Sequence, residues 1–531
     1  MKARLPLVLL VMLSVTSLLA RPARAQSDGG LRPGGAGAPA LHRPGAATML
    51  PMASPVLALD GDPGIHDPST IMIHEGKFYT YGTGRGLPGL VSDDGWTWRP
   101  AGSVMDAVQG DRAEVLERGG NNTWAPDVIR SGDRYFVYYS APATQPRSAI
   151  GLLVGSTLDP DSPDYRWEDG GPLVWSDGVE DNYAIDPGVF RDPADGSLWM
   201  TYGSYFGYIR LVELDPATGR RLHPDREPVD IAINGEASTM IHRDGWYYLL
   251  LTHGSCCAGA NSSYNIRMGR SRTVRGPFLD HMGIDMLRGG GKLFVGSGGR
   301  YIGPGHFGLL DIGDRVQKFS LHFEADLDRG GRSVLDIRPL LWRDGWPVAG
   351  ENFVTGTYEI QSARTGTSLE MAVEGMPVGG RRRRGSGGGD EPPAPIPPQV
   401  PAQVEGNWPT DPVDARMAQY LVQAQQKWDV IPVDDVGGYP GSPYFKITVA
   451  GTDRALAATA GAELVVIPAF TGAPEQLWRI DQLTDGTYRV MPKAVPGSGE
   501  PLALSAIGSS KPTLARFDPE SDRQRWLFRT P

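Results

Sequence analysis

Five polar residues occupy matching places in a repeated pattern, each a short distance before a strand-like run of aromatic and β-branched residues. They are Asp67, Asp127, Asp186, Glu236 and His306. Four carboxyl groups and an imidazole crowded into one small volume are electrostatically costly, which favours a functional explanation. Each residue taken singly also fits a strand cap or a turn, where Asp is common. Their shared placement therefore predicts one site.

Carboxyl groups paired in this way suit the hydrolysis of a glycosidic bond. One carboxylic acid with a raised pKa protonates the leaving oxygen, and one carboxylate takes a proton from the attacking water. A separation of roughly 6.5–9.5 Å leaves room for that water and inverts the anomeric centre. A third carboxylate nearby raises the pKa of the acid by like-charge repulsion. The expected chemistry is that of an inverting glycoside hydrolase.

These residues need elements that bring them together, and the chain repeats one phrase five times. The phrase is a turn, then aromatic and β-branched residues, then a small residue. Its copies are residues 76–82, 133–140, 196–203, 245–252 and 317–323. Strand-like repeats at steps of roughly 50 to 70 residues are typical of propeller blades. We predict an all-β chain with a five-bladed β-propeller over residues 59–350, in which the first strand of each blade lines the central axis.

Short motifs spread over this segment resemble glycoside hydrolase family 43, and within it the arabinan endo-1,5-α-L-arabinosidases. They are His66-Asp-Pro68, Trp124-Ala-Pro-Asp127, Ala184-Ile-Asp186, Gly235-Glu236-Ala237, Ser255-Cys-Cys257 and Gly303-Pro-Gly-His306. The resemblance implies an enzyme that cleaves α-1,5-linked arabinan internally. The chain departs from the familiar pattern with Phe307 after the last motif and Glu236-Ala-Ser238 around the acid. These departures leave the fine choice of substrate open.

The resemblance also implies a role for each matched position. Asp67 is expected to be the general base and Glu236 the general acid. Asp186 is expected to tune the pKa of Glu236 and to hold it in place. His306 is expected to bind a metal near the propeller axis, commonly calcium and largely through water molecules. Asp127 belongs to the motif, and a structural role is open for it.

Three further positions match places where the family contacts its sugar. Trp124 resembles an aromatic platform, which suits the apolar faces of a furanose ring; burial in the propeller core is the alternative. Asn182 and Ser204 fall where the family has polar contacts to the substrate. We expect all three to bind substrate.

The C-terminal part carries Gln-x-Trp triplets at intervals of roughly 50 residues, at Gln426, Gln476 and Gln524. Three such repeats resemble the ricin-type β-trefoil of family 13 carbohydrate-binding modules, in which Gln and Trp build the core. We predict a β-trefoil over residues 355–531, interrupted by a disordered insert at about 376–410. Only the first repeat keeps an acid, Glu370, so a single sugar site there and a trefoil serving as a spacer both remain open.

The N-terminus predicts export. A short basic start precedes an apolar run over residues 5–20, and Ala23-Arg-Ala25 supplies a small-x-small cleavage site. We predict a signal peptide over residues 1–25, with a membrane anchor as the alternative, and a flexible linker over residues 26–58. The protein is expected to be secreted or periplasmic. The two cysteines, Cys256 and Cys257, either join in a strained ring or remain buried thiols.

The length and net charge of the chain limit its domain organisation and the kinds of partner it can bind. A chain of 531 residues is longer than one hydrophobic core usually supports, which indicates two or more domains. A net charge of −10, with no basic face, argues against a nucleic-acid partner. We expect a monomer, without membrane partners, that acts on arabinan or a related pentose polysaccharide. An exo-acting α-L-arabinofuranosidase or β-xylosidase is the nearest alternative. A non-catalytic glycan-binding protein is another, although three retained acids argue against it.

Overall fold

The computed structural model describes residues 57–177, 183–205, 207–373, 408–508 and 511–531. The predicted signal peptide, nearly all of the predicted linker and nearly all of the predicted insert lie outside the described residues, so these remain predictions. Within the described ranges, no helix is long and apolar enough to cross a membrane.

Five separate sheets confirm the predicted five-bladed propeller. The first two contain β1 (Asp60–Gly61), β2 (Met72–His74), β3 (Lys77–Tyr81), β4 (Pro88–Ser92), β5 (Thr97–Ser103), β6 (Val108–Gln109), β7 (Trp124–Ser131), β8 (Arg134–Pro142), β9 (Ser148–Gly155) and β10 (Trp167–Ser176). The third and fourth contain β11 (Gly188–Arg191), β12 (Leu198–Tyr202), β13 (Ile209–Leu214), β14 (Val229–Ala232), β15 (Glu236–Arg243), β16 (Trp246–His253), β17 (Asn265–Ser271) and β18 (Lys292–Val295). The fifth contains β19 (Tyr301–Gly313), β20 (Val316–Asp326), β21 (Arg332–Arg343) and β22 (Trp346–Ala349). The five repeated phrases form β3, β8, β12, β16 and β20, which are each the second strand from the inner edge of a blade.

Short helices occupy connections between strands. They are α1 (Ala113–Arg118) and the 3₁₀ helices Val104–Ala107, Gly259–Asn261, Met286–Arg288, Leu327–Arg329, Ala424–Gln426, Pro474–Gln476 and Asp522–Gln524. The ring of blades closes where the N-terminal segment meets blade five. There the backbone N–H of Leu335 donates to the carbonyl of Pro63 at 2.8 Å.

The repeated phrases are aromatic on both faces because each blade packs between two others. In β8, Tyr135, Val137 and Tyr139 belong to a core cluster shared with blade one. The alternate residues Phe136 and Tyr138 belong to a cluster shared with blade three. Successive side chains of a strand point to opposite faces, so a strand between two blades must be apolar at every position. This packing holds the strand starts in place around the axis.

Three four-stranded repeats form the predicted β-trefoil. They contain β23 (Gly356–Ser362), β24 (Ser368–Met371), β25 (Val413–Ala418), β26 (Trp428–Pro432), β29 (Phe445–Val449), β30 (Ala455–Ala458), β31 (Leu464–Ile467), β32 (Trp478–Gln482), β33 (Tyr488–Pro492), β34 (Leu502–Ser505), β35 (Thr513–Arg516) and β36 (Trp526–Arg529), with the small hairpin of β27 (Gly438–Tyr439) and β28 (Ser442–Pro443) before β29. The first and last strands of each repeat pair in a closed ring of six. The middle strands pair as three hairpins.

The Gln-x-Trp triplets build the trefoil core, as predicted. Trp428, Trp478 and Trp526 are fully buried, and each indole N–H donates to a backbone carbonyl at 2.9–3.0 Å. Glu370 is buried as well. Its Oε1 accepts from Arg416 at 2.5 Å and its Oε2 from Gln426 at 2.8 Å. Both carboxylate oxygens therefore serve the fold, which favours the spacer over a sugar site at Glu370.

The trefoil packs against blades one and five. Asp94 of blade one accepts from the backbone N–H of Gly438 at 2.8 Å. Lys318 of blade five is buried and donates to the carbonyl of Pro440. Burial lowers the pKa of Lys318 to about 8, although Asp481 of the trefoil opposes this.

Candidate active site

In or just before the innermost strand of each blade, one residue at or beside a predicted site position has left-handed backbone. The five are Asp67 (φ 51°), Ala125 (39°), Asp186 (56°), Ala237 (48°) and His306 (54°). Positive φ is uncommon outside glycine, and such strain gathers at functional sites. Three of these residues are predicted site residues, and the other two adjoin Trp124 and Glu236. The backbone at these positions is therefore shaped around the site, not for regular pairing.

Asp67 is buried among cationic and hydroxyl groups. Its Oδ1 lies 2.9 Å from His306 Nδ1, its Oδ2 lies 2.8 Å from His66 Nδ1, and Thr83 donates to Oδ2 at 2.5 Å. Burial alone raises the pKa of Asp67, but His306 and His66 outweigh it and hold the pKa well below its usual range. Burial lowers the pKa of His66, yet Asp67 and Glu324 raise it to about 10. Asp67 is thus an ionised carboxylate, as a base must be.

Glu236 and Asp186 form the second part of the site. Ser204 donates to Glu236 Oε2 at 2.7 Å, and the Tyr264 hydroxyl donates to Oε1. The backbone N–H of Ala237, next to Glu236, donates to Asp186 Oδ2 at 3.2 Å. Burial, and then the charge of Glu236, raise the pKa of Asp186 to about 8. With its pKa raised to about 8, the Asp186 carboxyl group beside Glu236 retains a proton near neutral pH.

Tyr264 adds a fixed donor to this pair. Burial, followed by the charges of Glu236 and Asp67, raises the pKa of Tyr264 far above its ordinary value. Its hydroxyl therefore stays protonated and donates to Glu236 Oε1. Asp186 is also influenced by His306 and Asp67, so the structure brings these four predicted residues into one electrostatic cluster.

Asp127 has the matching sequence position but different contacts. Its Oδ1 accepts from the backbone N–H groups of Thr70 and Val128, each at 2.9 Å. Its Oδ2 accepts from the N–H of Val189 at 2.7 Å. Burial raises the pKa of Asp127, while these backbone N–H groups oppose the rise. Asp127 therefore ties the inner strands of blades one, two and three, which supports the structural role left open for it.

We expect Asp127→Ala to lower the free energy of unfolding by about 3 kcal/mol, because it leaves three buried N–H groups without acceptors. Chemical denaturation with fluorescence detection measures this loss. Asp133→Ala, at an exposed turn of the same blade, is the matched control. A variant with wild-type stability and a lowered kcat instead would place Asp127 in the chemistry.

Buried imidazole nitrogens surround the axis. The ring centroid of His322, which is fully buried, lies 4.6 Å from that of His66 and 5.7 Å from that of His306. His306 Nε2 and His322 Nδ1 have no hydrogen-bond partner among the described residues, and His322 Nε2 lies 3.8 Å from Glu324 Oε1. Buried polar atoms without partners indicate a water or an ion. The unpartnered atoms here are nitrogens, whereas calcium prefers oxygen ligands. A calcium ion held near His306, largely through waters, therefore stays a prediction.

The predicted sugar contacts have different placements. Trp124 is 37% exposed, so it lies outside the propeller core and presents its ring to solvent. Ser204 is buried and holds Glu236, so its contact with a sugar stays a prediction. Asn182 lies outside the described residues. The sequence interpretation assigned no role to Thr83, Tyr264, His66 or Glu324. His66 stands inside the His66-Asp-Pro68 motif, whereas Thr83 and Glu324 carried no signal.

The adjacent cysteines are joined in a disulfide in the segment between β16 and β17. Cys257 is exposed, so the alternative of two buried thiols is wrong. The backbone N–H of Cys257 donates to Glu324 Oε1 at 3.1 Å. The segment therefore contacts the imidazole and carboxylate cluster at the axis.

Comparison with known proteins agrees with this geometry. Residues 53–347 match the model of glycosyl hydrolases family 43, and residues 424–513 match the ricin-type beta-trefoil lectin domain-like model. The extracellular endo-alpha-(1->5)-L-arabinanase 1 of Bacillus subtilis is 33% identical over 53% of this chain and 87% of its own length. The extracellular exo-alpha-(1->5)-L-arabinofuranosidase ArbA of Cellvibrio japonicus is 34% identical over 54% and 86%. An exo-1,5-alpha-L-arabinanase structure from a bovine ruminal metagenomic library is 34% identical, with a TM-score of 0.50, over 55% of this chain and 100% of its own.

Proposed function

Because the chain belongs to glycosyl hydrolases family 43, we propose that it hydrolyses α-1,5-linked L-arabinan, internally and with inversion. The observation that carries the proposal is the opposite electrostatic state of two carboxyl sites. Asp67 is held ionised by two imidazoles, while Asp186, beside Glu236, retains a proton. An inverting hydrolase needs one carboxyl group in each state. Relatives named for activity on this linkage supply the substrate class.

In the proposed reaction, Glu236 donates its proton to the glycosidic oxygen as the bond to the anomeric carbon breaks. A water molecule attacks that carbon from the opposite face, and Asp67 accepts the water proton. Ser204 and Tyr264 hold the carboxyl group of Glu236 and stabilise its charge after the transfer. The products are two shorter sugars, one with an inverted hemiacetal.

Two neighbours support these steps. Asp186 accepts from the N–H of Ala237, so it positions the backbone of the acid and shares its proton. His306 Nδ1 contacts one oxygen of Asp67, and its Nε2 has no hydrogen-bond partner in the part of the chain that the structure describes. We propose that Nε2 faces a cation. A bound cation would supply positive charge beside the base.

Trp124 is the proposed sugar platform because its ring is exposed.

Secretion is part of the proposal. Both curated relatives are named extracellular, and the chain begins with the predicted signal peptide. A disulfide between its two cysteines suits an oxidising compartment.

The test is hydrolysis of linear, debranched arabinan by the mature protein, with products separated by size. A spread of short arabino-oligosaccharides is the expected result. Arabinose alone would keep the reaction but make the enzyme exo-acting, as one relative is named. No hydrolysis of arabinan or xylan would favour a glycan-binding protein. Glu351→Gln, at an exposed acid just after blade five, is the control that should leave turnover unchanged.

We expect kcat/KM to fall as the pH rises through about 8. The active form carries a proton on the Glu236 and Asp186 pair and none on Asp67. Burial and like charge raise the pKa of Asp186 to about 8, so the required proton is present below that pH and lost above it. In Asp186→Asn the repulsion is gone, and the alkaline limb should move to lower pH. Initial rates on arabinan across pH 4 to 10 measure both limbs, and an unmoved limb would contradict the shared proton.

A further inference from the structure

The segment that carries the disulfide has a fixed base. The backbone N–H of Ser255 donates to Ser263 Oγ at 2.9 Å, and Ser262 donates to the carbonyl of Ser255 at 2.9 Å. The N–H of Gly254 donates to the Tyr205 hydroxyl at 2.7 Å. Between these ties, Cys257 has left-handed backbone, with φ at 62°. The covalent ring with Cys256 restrains this unusual conformation, which directs the Cys257 N–H to Glu324.

Glu324 connects the Cys257 segment to the proposed base, Asp67. It lies on β20 of blade five and is 4% exposed. The oxygen that accepts from Cys257 also lies 3.2 Å from His66 Nε2. The other nitrogen of His66, Nδ1, lies 2.8 Å from Asp67 Oδ2. One continuous series of contacts therefore runs from the disulfide through Glu324 and His66 to Asp67.

The charges in this series alternate. Burial raises the pKa of Glu324, but His322, His66 and the Cys257 N–H outweigh it and lower the pKa to about 2. An ionised Glu324 and an ionised Asp67 therefore flank His66, whose pKa lies at about 10. Charge-assisted contacts are short and directional, so a displacement at one end moves the next group. Because Cys257 Sγ is bonded to Cys256, it is not a free metal ligand beside His66 and Glu324.

We propose that the Cys256–Cys257 disulfide, acting through Glu324 and His66, positions the Asp67 carboxylate, so that opening the disulfide slows the chemical step. The inference rests on the proposed role of Asp67 as base. Cys256, Cys257, Glu324 and His66 are positioning residues in this scheme. Substrate binding by the sugar contacts does not pass through the series, so KM should change little.

A dithiol opens the bond. Dithiothreitol supplies two electrons and two protons, the S–S bond breaks, both sulfurs become thiols, and the reagent closes into its own cyclic disulfide. Cys257 is exposed to it. These are the chain's 2 cysteines, so thiol chemistry acts nowhere else in the protein.

The experiment compares kcat and KM on linear arabinan for the oxidised protein, the reduced protein and Cys256→Ser/Cys257→Ser. Mass spectrometry counts the thiols, and circular dichroism checks the fold. We expect kcat to fall about tenfold after reduction, with KM within about twofold, and to recover on reoxidation. The double variant should have the lowered kcat and not respond to dithiothreitol.

Three results would overturn the inference. One is a reduced protein with two free thiols and an unchanged kcat. Another is a double variant that loses activity with dithiothreitol, since the reagent would then act elsewhere. The third is a raised KM with an unchanged kcat, which would place the disulfide against the sugar. In each case the oxidised protein still hydrolyses arabinan, whereas failure of the proposed function leaves the oxidised protein inactive.

Glu324→Gln tests the middle of the series without touching the cysteines. It keeps the size of the side chain but removes the charge beside His66. We expect kcat to fall about tenfold and dithiothreitol to have little further effect, since both changes disturb one series. Asp328→Asn, an exposed acid just after the same strand, is the matched control. If the loss of kcat caused by Glu324→Gln and the loss caused by reduction multiply when combined, the disulfide does not act through Glu324.

Discussion

Glu236→Gln is expected to lower kcat on linear arabinan roughly 1,000-fold or more, because the leaving sugar alkoxide then departs without a proton. The glutamine keeps the shape of the side chain and can still meet Ser204 and Tyr264, so the fold and KM should change little. Steady-state kinetics with purified protein measures the loss. Glu351→Gln is the control for removing an exposed acid just after the propeller.

A leaving group that needs no proton separates acid catalysis from general damage. On an arabino-oligosaccharide with a nitrophenyl aglycone, Glu236→Gln should retain most of its turnover, since nitrophenolate departs unprotonated. An equal loss on arabinan and on the nitrophenyl substrate would contradict the role of Glu236 as acid.

Asp67→Ala is expected to lower kcat roughly 10,000-fold on both substrates, because attack by water needs a base whatever the leaving group. The loss includes the effect of removing a buried carboxylate from beside His66 and His306. Asp62→Ala, at an exposed acid of the same blade, is the matched control and should keep wild-type turnover.

Azide tests whether Asp67 acts on the attacking nucleophile. Azide is already an anion and attacks without losing a proton, and the shortened side chain leaves space for it. On the nitrophenyl substrate, azide should restore part of the turnover of Asp67→Ala and give an arabinosyl azide of inverted configuration. An azide product of retained configuration would show that a residue other than Asp67 forms a covalent intermediate, which would contradict the inverting mechanism.

Several features could be predicted from the sequence because they rest on local patterns. The five strand phrases repeat a period that five blades require, and the aromatic residues on both faces of β8 follow from burial between two blades. The Gln-x-Trp triplets predict the trefoil core because each repeat buries its Trp in an equivalent environment. The motifs around Asp67, Asp186 and Glu236 also lie in short, continuous stretches.

Only the tertiary structure decided which polar residues serve the site. Asp127 shares the pattern of Asp67, yet its oxygens meet backbone N–H groups of three blades. His66 and Glu324 are 258 residues apart and meet because the ring of blades closes. Local sequence specifies which face of a strand a side chain occupies, whereas contacts between blades depend on how the sheets pack around the axis. The sequence alone thus determined the blades and the predicted acids, and closure of the ring determined what each acid contacts and hence its charge.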